Sequence, residues 1–410
     1  MTRIRVLLPL SCAALLALSG CGPGSLSTRG KVLVHESFDD SALAAQAKAL
    51  PGLTFAEAPR TLSWRKALEE TRSRPDLVAL SDDRDLSSAF VAGLIADLGP
   101  YRARLASFPR MRTALAPDLE AKDGKGPFFF PLTIQPWGLF YNPTLLAKSG
   151  IAKPATLSEL EAAFESLAKR GTRPLALGAS AGWPALGLLA ILDLRLGGRS
   201  AYVSELQGKS VEPDSRLLAS LTMLEKWRDR RWLSADAAAL SWDGALAAVE
   251  AGRAAFTYLP SSAWSRYQKK GQLGFAAFPK GSIGEVGELA TIEGFALAAS
   301  SRSREPALAL LDVYALAGAP GRTFESWQLP AVVPVGGPET EGIRGTLAGI
   351  VGGATRLYPP LDRALSAEAA REARLAMTDF LRPDSETKAA DLAARLAAAL
   401  TSSAAKEPTP

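Results

Sequence analysis

The chain has 410 residues, of which 47% are hydrophobic and 22% charged, with 47 Lys and Arg against 42 Asp and Glu. This composition is too apolar for a disordered protein and too charged for a polytopic membrane protein, and the length allows two or three domains. The single histidine and two cysteines exclude zinc sites built on paired histidines and any active site that needs two imidazoles.

The N-terminal segment predicts an export signal. A short basic region precedes an apolar run at 6–18, which is shorter than the roughly 20 residues of a membrane-spanning helix. The run ends in Leu18-Ser19-Gly20-Cys21, which resembles the lipobox of bacterial lipoproteins. The resemblance implies a lipoprotein signal peptide at 1–20 and a lipid on the sulfur of Cys21. A secretory signal with an incidental cysteine is the alternative.

Removal of this signal changes the charge of the mature chain. Loss of Arg3 and Arg5 lowers the formal net charge from +5 to +3, which is too weak and dispersed for a nucleic-acid partner. The densest basic stretch, at 226–232, follows a predicted helix, where it complements the helix dipole. Small polar residues predict a flexible tether at 21–30.

Beyond the tether, short apolar strands alternate with amphipathic helices, which predicts an α/β fold. Pro131 indicates that its strand lies at a sheet edge or ends there. Strands are predicted at 32–34, 75–80, 128–132, 139–141, 175–177 and 254–259. Helices are predicted at 41–50, 156–170, 184–196, from 214 onward, and at 243–252, 306–316, 366–381 and 387–400, before a disordered tail at 401–410.

Several residues have the spacing of helix caps. Thr156 and Glu159 form a predicted capping box, and Gly171 stands where a C-cap glycine is expected. Asp243 is the predicted cap of the helix that follows it, and Asp82 has the same alternative role.

Gly178, Ser180 and Gly182 match the G-x-S-x-G pattern of a hydrolase nucleophile elbow, between a predicted strand and helix. That mechanism needs a downstream histidine, whereas His35 lies upstream. We therefore interpret the glycines as a tight turn that lets the strand and the helix pack closely.

Residues 131–151 read PLTIQPWGLFYNPTLLAKSGI, and here the chain resembles the extracellular solute-binding proteins of ABC importers (family 1). The resemblance is greatest to the carbohydrate-binding type related to maltose-binding protein. Shorter matches follow in family order, and the departure is at 35–37, where the family has a Trp or a Thr-rich strand. The matches lie at 75–78, 93–98, 154–156, 182–184, 194–198, 242–243, 250–256, 264, 294–298 and 329–331.

The resemblance implies an α/β two-lobe periplasmic-binding-protein fold (type II), with the ligand cleft between lobes that crossing strands join. The first lobe would hold 31–136 and 291–333, and the second 137–290 and 334–400. The implied protein is not an enzyme. It is a monomeric, exported, lipid-anchored component that binds a sugar or oligosaccharide and delivers it to an ABC permease.

A sugar presents hydroxyl groups around its rim and C–H patches on its faces, which suit fixed polar groups and flat aromatic rings. Residues of both kinds stand at predicted strand ends and loops, whereas Trp227 and Trp232 are predicted to pack a helix against the body. No catalytic residue, cofactor or metal ligand is predicted. The candidate ligand-binding residues are Glu36, Ser37, Asp82, Gln135, Trp137, Trp183, Trp242, Asp243, Trp264, Glu293, Trp327 and Tyr358.

Two alternatives stay open. The solute could be a polyamine, a peptide or another small polar molecule, and a cleft dominated by carboxylates would favour a cation. Paired carboxylates could also make a lipid-anchored glycoside hydrolase, because acidic residues are common and the sequence does not give their separation.

Overall fold

The computed structural model describes most of the chain after the predicted tether. The signal peptide, Cys21 and the predicted helix at 41–50 lie outside the described residues. These are 30–35, 52–58, 63–69, 74–82, 85–106, 126–206, 216–266, 273–283, 287–315, 327–331, 342–363 and 365–405.

The described residues form an α/β structure. The strands are β1 Gly30–Val34, β2 Leu53–Glu57, β3 Leu77–Ser81, β4 Phe130–Tyr141, β5 Arg173–Leu175, β6 Ala254–Pro260, β7 Gly274–Ala276, β8 Gly287–Leu297, β9 Leu329–Pro330 and β10 Arg356–Tyr358. The helices are α1 Trp64–Glu69, α2 Asp85–Val91, α3 Gly99–Ala106, α4 Pro143–Lys148, α5 Leu157–Lys169, α6 Trp183–Leu206, α7 Arg216–Asp229, α8 Trp242–Glu250, α9 Arg304–Ala315, α10 Gly342–Gly353, α11 Ala367–Phe380 and α12 Ala389–Ala405. Short 3₁₀ helices span Ser261–Arg266 and Leu361–Arg363.

The strands form one continuous sheet in the order β2-β1-β3-β8-β4-β6-β5. Strand β1 runs parallel to β2 and β3, and β5 runs parallel to β6. The central strand β8 is antiparallel to both β3 and β4. The short strands β7 and β9 also pair with β4, and β10 pairs with β8.

Strands β4 and β8 cross from one half of the sheet to the other. Residues 130–136 of β4 pair with β8, and from Trp137 onward β4 pairs with β6 instead. Because β4 stays continuous through the change, it is a physical link between the two halves.

Two large apolar cores pack against the sheet, and the first continues past the change of partner to Leu246 and Leu259. The first includes Leu80, Phe130 and Phe295. The second includes Phe164 and Trp227 and is closed by α11 and α12, which pack beside α6 and α7. Among the described helices, none combines the length and the apolarity needed to cross a bilayer.

Several element predictions are confirmed, and others are corrected. The Thr156 side chain accepts a hydrogen bond from Glu159 N at 3.2 Å, and Gly171 adopts φ 71°. The predicted strands at 128–132 and 139–141 are parts of one strand, β4. Pro131 lies near its start, in the middle of the sheet rather than at an edge, where a register shift follows it.

Three boundaries differ from the predictions. The cap of α8 is Ser241, whose Oγ accepts from Gly244 N at 3.2 Å, so Asp243 lies in the first turn. Helix α12 continues to Ala405, so the first half of the predicted tail is helical. Strand β1 begins at Gly30, the last residue of the predicted tether. For α8 the cap is set by a local side-chain hydrogen bond, which the apolar pattern does not report.

Several side chains of the basic stretch at the end of α7 have partners. Lys226 pairs with Glu161 at 2.8 Å, and Arg230 lies over the Trp232 ring at 5.2 Å. Trp227 and Trp232 are buried in the second core, which confirms their predicted packing role.

The turn that ends α7 places Arg231 in a left-handed conformation, with φ 57°. Trp232 N donates to Trp227 O at 2.9 Å and Arg231 N to Arg228 O at 2.8 Å. This is the Schellman arrangement, in which glycine is favoured at the left-handed position because a Cβ is strained there.

We therefore predict that Arg231→Gly stabilises the protein, by about 1 kcal/mol. The free energy of unfolding in urea measures the effect. Arg231→Ala is the matched control, because it removes the same charge but keeps the strained Cβ, and it should give no comparable gain. Equal gains from the two variants would assign the effect to charge instead.

Candidate ligand-binding site

Two helix starts are held side by side near the point where β4 changes partner. Gly178, in the loop before α6, lies against the start of α8, and a Cβ on it would approach Ser241 O to 2.4 Å. Ser180 N donates to Leu240 O at 3.0 Å. These contacts set the first residues of the two helices, Trp183 and Trp242, beside each other, with ring centroids 6.4 Å apart.

Four aromatic side chains then make a layered group, which we call the aromatic cluster: Trp137, Trp183, Trp242 and Tyr258. The Trp137 ring meets Trp183 edge-on, with centroids 5.5 Å apart at 86°, and Tyr258 at 5.7 Å. Trp137 is 3% exposed and Tyr258 is fully buried, whereas Trp183 and Trp242 are half-buried. Two rings therefore reach the surface, and two support them from below.

The buried ring of Trp137 fits a notch in α6. A Cβ on Gly187 would come within 2.2 Å of one Trp137 ring atom and 2.6 Å of another. Only a residue without a side chain leaves room for the indole at this position.

An acidic residue follows Trp242 directly in the chain. Asp243 is exposed in the first turn of α8. A hydrogen bond from the Ser241 side chain lowers the pKa of Asp243 below its ordinary value, against the opposing effect of partial desolvation, and the charge of Arg266 adds to the lowering. Asp243 is consequently a carboxylate near neutral pH.

The crossing strands carry a second set of polar groups, which we call the polar row: Thr133, Gln135, Thr291 and Glu293. Thr133 stands opposite Glu293, and Gln135 opposite Thr291, so the four side chains share one face of the β4–β8 pair. Thr133 Oγ1 donates to Glu293 Oε2 at 3.0 Å, and Trp137 Nε1 donates to Thr291 Oγ1 at 3.2 Å.

The polar row is buried, and it reaches the first half of the sheet. Ser81 on β3 stands opposite Glu293. Asp82, the next residue, accepts a hydrogen bond from Ile292 N at 2.8 Å. The Gln135 amide nitrogen has no hydrogen-bond partner among the described residues. Two of the predicted binding residues, Gln135 and Glu293, thus belong to the row, and a third, Asp82, bonds to the backbone of β8 beside it.

A buried ion pair fixes α6 to the start of β8. Arg195 Nη2 lies 2.7 Å from Glu288 Oε1, and each side chain is 3% exposed. Arg195 also donates to the carbonyl oxygens of Phe278 and Pro279, at 3.2 and 3.0 Å. Burial raises the pKa of Glu288 and is opposed by Arg195, while burial and then the charge of Glu288 raise the pKa of Tyr258.

Other predicted binding residues do not join the aromatic cluster. Trp264 packs against Phe140, with centroids 5.6 Å apart, and strand alternation puts Phe140 on the face of β4 opposite Trp137. Tyr358 meets Tyr202 edge-on at 5.8 Å, and Trp327 is buried. Glu36 and Ser37 lie outside the described residues.

Sequence reasoning missed four residues of this region: Thr133, Gly187, Tyr258 and Thr291. Thr133 alternates with Gln135 and Trp137 along an otherwise apolar strand, a period-two signal that could have found it. Gly187 interrupts an apolar helix, which often marks close packing. Tyr258 and Thr291 give no signal apart from their neighbours in space.

Two shallow grooves lie elsewhere. One, of about 270 Å³, runs between α11 and α12, and the other, of about 350 Å³, lies between α3 and α9. Neither is lined by a residue of the aromatic cluster or the polar row.

The crossing strands and the paired halves of the sheet define a two-lobe α/β binding protein, and solved structures share this fold. The solute receptor AcbH, described with an exclusive preference for β-D-galactopyranose, aligns with a TM-score of 0.74 at 20% identity, over 90% of this chain and 97% of that one. A probable secreted solute-binding lipoprotein from Streptomyces coelicolor aligns with a TM-score of 0.70 at 19% identity, over 90% and 98%. The likeness confirms the two-lobe periplasmic-binding-protein fold that the sequence predicts.

The chain belongs to the bacterial extracellular solute-binding proteins, because the model of that family matches residues 61–319. An uncharacterised ABC transporter extracellular-binding protein of Pyrococcus horikoshii is 30% identical over 135 residues. That match spans 32% of this chain and 30% of the relative, so it supports the family and not a particular solute.

The notch at Gly187 gives a stability prediction. Gly187→Ala should destabilise the protein by about 1–3 kcal/mol, because the added methyl group must displace the Trp137 ring. Gly349→Ala in α10 is the matched control. A Cβ on Gly349 meets nothing within 4 Å, so the same change should stabilise by about 0.5–1 kcal/mol.

Urea unfolding of the two variants measures the change in the free energy of unfolding, which should fall for Gly187→Ala and rise for Gly349→Ala. A Gly187→Ala protein as stable as the wild type would show that the Trp137 ring is not confined by α6.

Proposed function

We propose that the chain is the substrate-binding component of an ABC importer and that it captures a sugar or oligosaccharide. Family membership supports the transport class. The observation that carries the choice of ligand is the pair of half-buried rings of Trp183 and Trp242, and the exposed Asp243 follows Trp242 in the first turn of the same helix. Indole faces suit the C–H faces of a sugar, and a carboxylate accepts hydrogen bonds from its hydroxyl groups.

The proposed mechanism is capture by closure of the lobes. Crossing strands β4 and β8 bend, and side chains of the first lobe, with Asp82 nearest the crossing strands, meet the ligand on the second lobe. The ligand favours the closed form only through contacts that the open form lacks. A permease then receives the ligand. Gln135, Glu293, Trp264, Trp327, Tyr358, Glu36 and Ser37 remain proposed contributors to the same cleft.

The proposed location is the outer face of a membrane. The signal at 1–20 would be removed, and a lipid on Cys21 would hold the mature chain there. The similar structure from Streptomyces coelicolor, described as a lipoprotein, supports this location. The proposal assigns no catalytic role to Ser180, since the packing of Gly178 against α8 accounts for the glycine of its motif.

A thermal-shift panel of the mature chain tests the proposal. Galactose, maltotriose, xylotriose and chitobiose should include a ligand that raises the unfolding temperature saturably, with a dissociation constant near the micromolar range, about −8 kcal/mol. Trp242→Ala should abolish that shift, and Trp242→Phe should keep most of it, because a flat ring remains. A shift with spermidine and with no sugar, or release of reducing ends from an oligosaccharide, would contradict the assignment.

The Asp243 carboxylate gives a pH prediction. Because the pKa of Asp243 is lowered, sugar affinity should stay constant from pH 8 to about pH 5 and weaken only as the carboxylate is protonated, below about pH 4. Asp243→Asn should raise the dissociation constant about tenfold or more at pH 7. Titration calorimetry across this range measures both effects, and an unchanged affinity in Asp243→Asn would remove Asp243 from the site.

A further inference from the structure

Trp137 connects the crossing strands to the surface rings. It is the first residue of β4 to pair with β6, opposite Pro260. Its Nε1 reaches across to Thr291 Oγ1 on β8 at 3.2 Å. Its ring meets Trp183 edge-on, with centroids 5.5 Å apart. One side chain thus touches both crossing strands and the ring proposed to meet the ligand.

We propose that Trp137 is a positioning residue that acts through Trp183, rather than a residue that touches the ligand. The inference rests on the proposed function. Trp137 is 3% exposed and lies beneath the surface rings, in the notch at Gly187. It holds the Trp183 ring at a fixed angle and ties that angle to the spacing of β4 and β8.

The hydrogen bond to Thr291 is what makes this coupling specific. An indole has one donor, and a buried donor without an acceptor is costly. The preferred ring orientation is therefore the one that points Nε1 at Thr291. Closure that shifts β4 against β8 changes the distance between Trp137 Nε1 and Thr291 Oγ1. The orientation of the Trp183 ring therefore depends on whether the lobes are open or closed. A ligand that stacks on Trp183 then favours one spacing of the strands.

Removal of the acceptor tests the coupling. Thr291→Val keeps the shape of the side chain but leaves Trp137 Nε1 unpaired, and Thr291→Ser restores a hydroxyl group. Thr257→Val on β6 is the matched control, because Thr257 is fully buried and its hydroxyl group has no hydrogen-bond partner among the described residues. All three variants keep every residue that we propose to touch the ligand.

Thr291→Val should raise the dissociation constant for the sugar found in the panel by about fivefold, the equivalent of one neutral hydrogen bond. Thr291→Ser and Thr257→Val should stay within about twofold of the wild type, since the acceptor is kept or was never used. A lowered unfolding temperature in Thr291→Val with an unchanged dissociation constant would show that Trp137 only packs, and would overturn the proposal.

A second readout needs no ligand. Two indoles held at a fixed angle give a coupled circular-dichroism signal. Trp183→Phe identifies the signal of the Trp137–Trp183 pair by removing it in a Trp242→Phe background, where Trp183 has no coupling to Trp242. Thr291→Val should weaken that signal in the unliganded protein, and Thr257→Val should not. If the wild type binds no sugar, the proposed function fails, while this signal still decides whether Thr291 orients the Trp137–Trp183 pair. An unchanged signal in Thr291→Val would overturn the positioning role.

Discussion

The pairing of β4 with β8 is the constraint on which the rest of the site depends. Both strands lie inside the sheet, and residues 130–140 and 288–297 are buried on both faces. A polar side chain placed there is costly to bury unless a neighbouring group bonds to it. Thr133 therefore bonds to Glu293, and Trp137 bonds to Thr291. The same two strands link the halves of the molecule. Any hinge motion between the halves therefore bends the strands that carry these hydrogen bonds.

The surface side of the site depends on close approach of backbone segments. The loop at 178–182 can lie against the start of α8 because Gly178 has no side chain. This contact places Trp183 and Trp242 together at two helix starts, while Trp137 and Tyr258 fill the space below. Arg195, near the middle of α6, pairs with Glu288 and anchors the helix to β8. The helix that carries Trp183 is thus held at its start and near its middle, and the two surface rings stand on this base.

The sequence predicted the α/β class and most strands and helices, because apolar periodicity and short family matches report these features. It divided β4 in two, since prolines at 131 and 136 interrupt the strand pattern although the central sheet tolerates them. It placed the cap of α8 at Asp243 because Ser241 and Asp243 are both good caps, and only backbone geometry separates them. The partners Thr291 and Tyr258 are distant in sequence from Trp137, so no local pattern could join them.

The loop at 178–182 shows how a G-x-S-x-G motif can arise from packing alone. Gly178 is set by the approach of Ser241 and Trp242, and Gly182 by the approach of Arg374 together with a φ of 74°. Ser180 is an exposed residue between them. Two independent steric requirements for glycine, four residues apart, are thus enough to produce the G-x-S-x-G pattern of a nucleophile elbow. The same G-x-S-x-G pattern can therefore arise in any protein in which a helix start packs against a strand-to-helix turn. A motif search that scores only the glycines will then return binding proteins together with hydrolases.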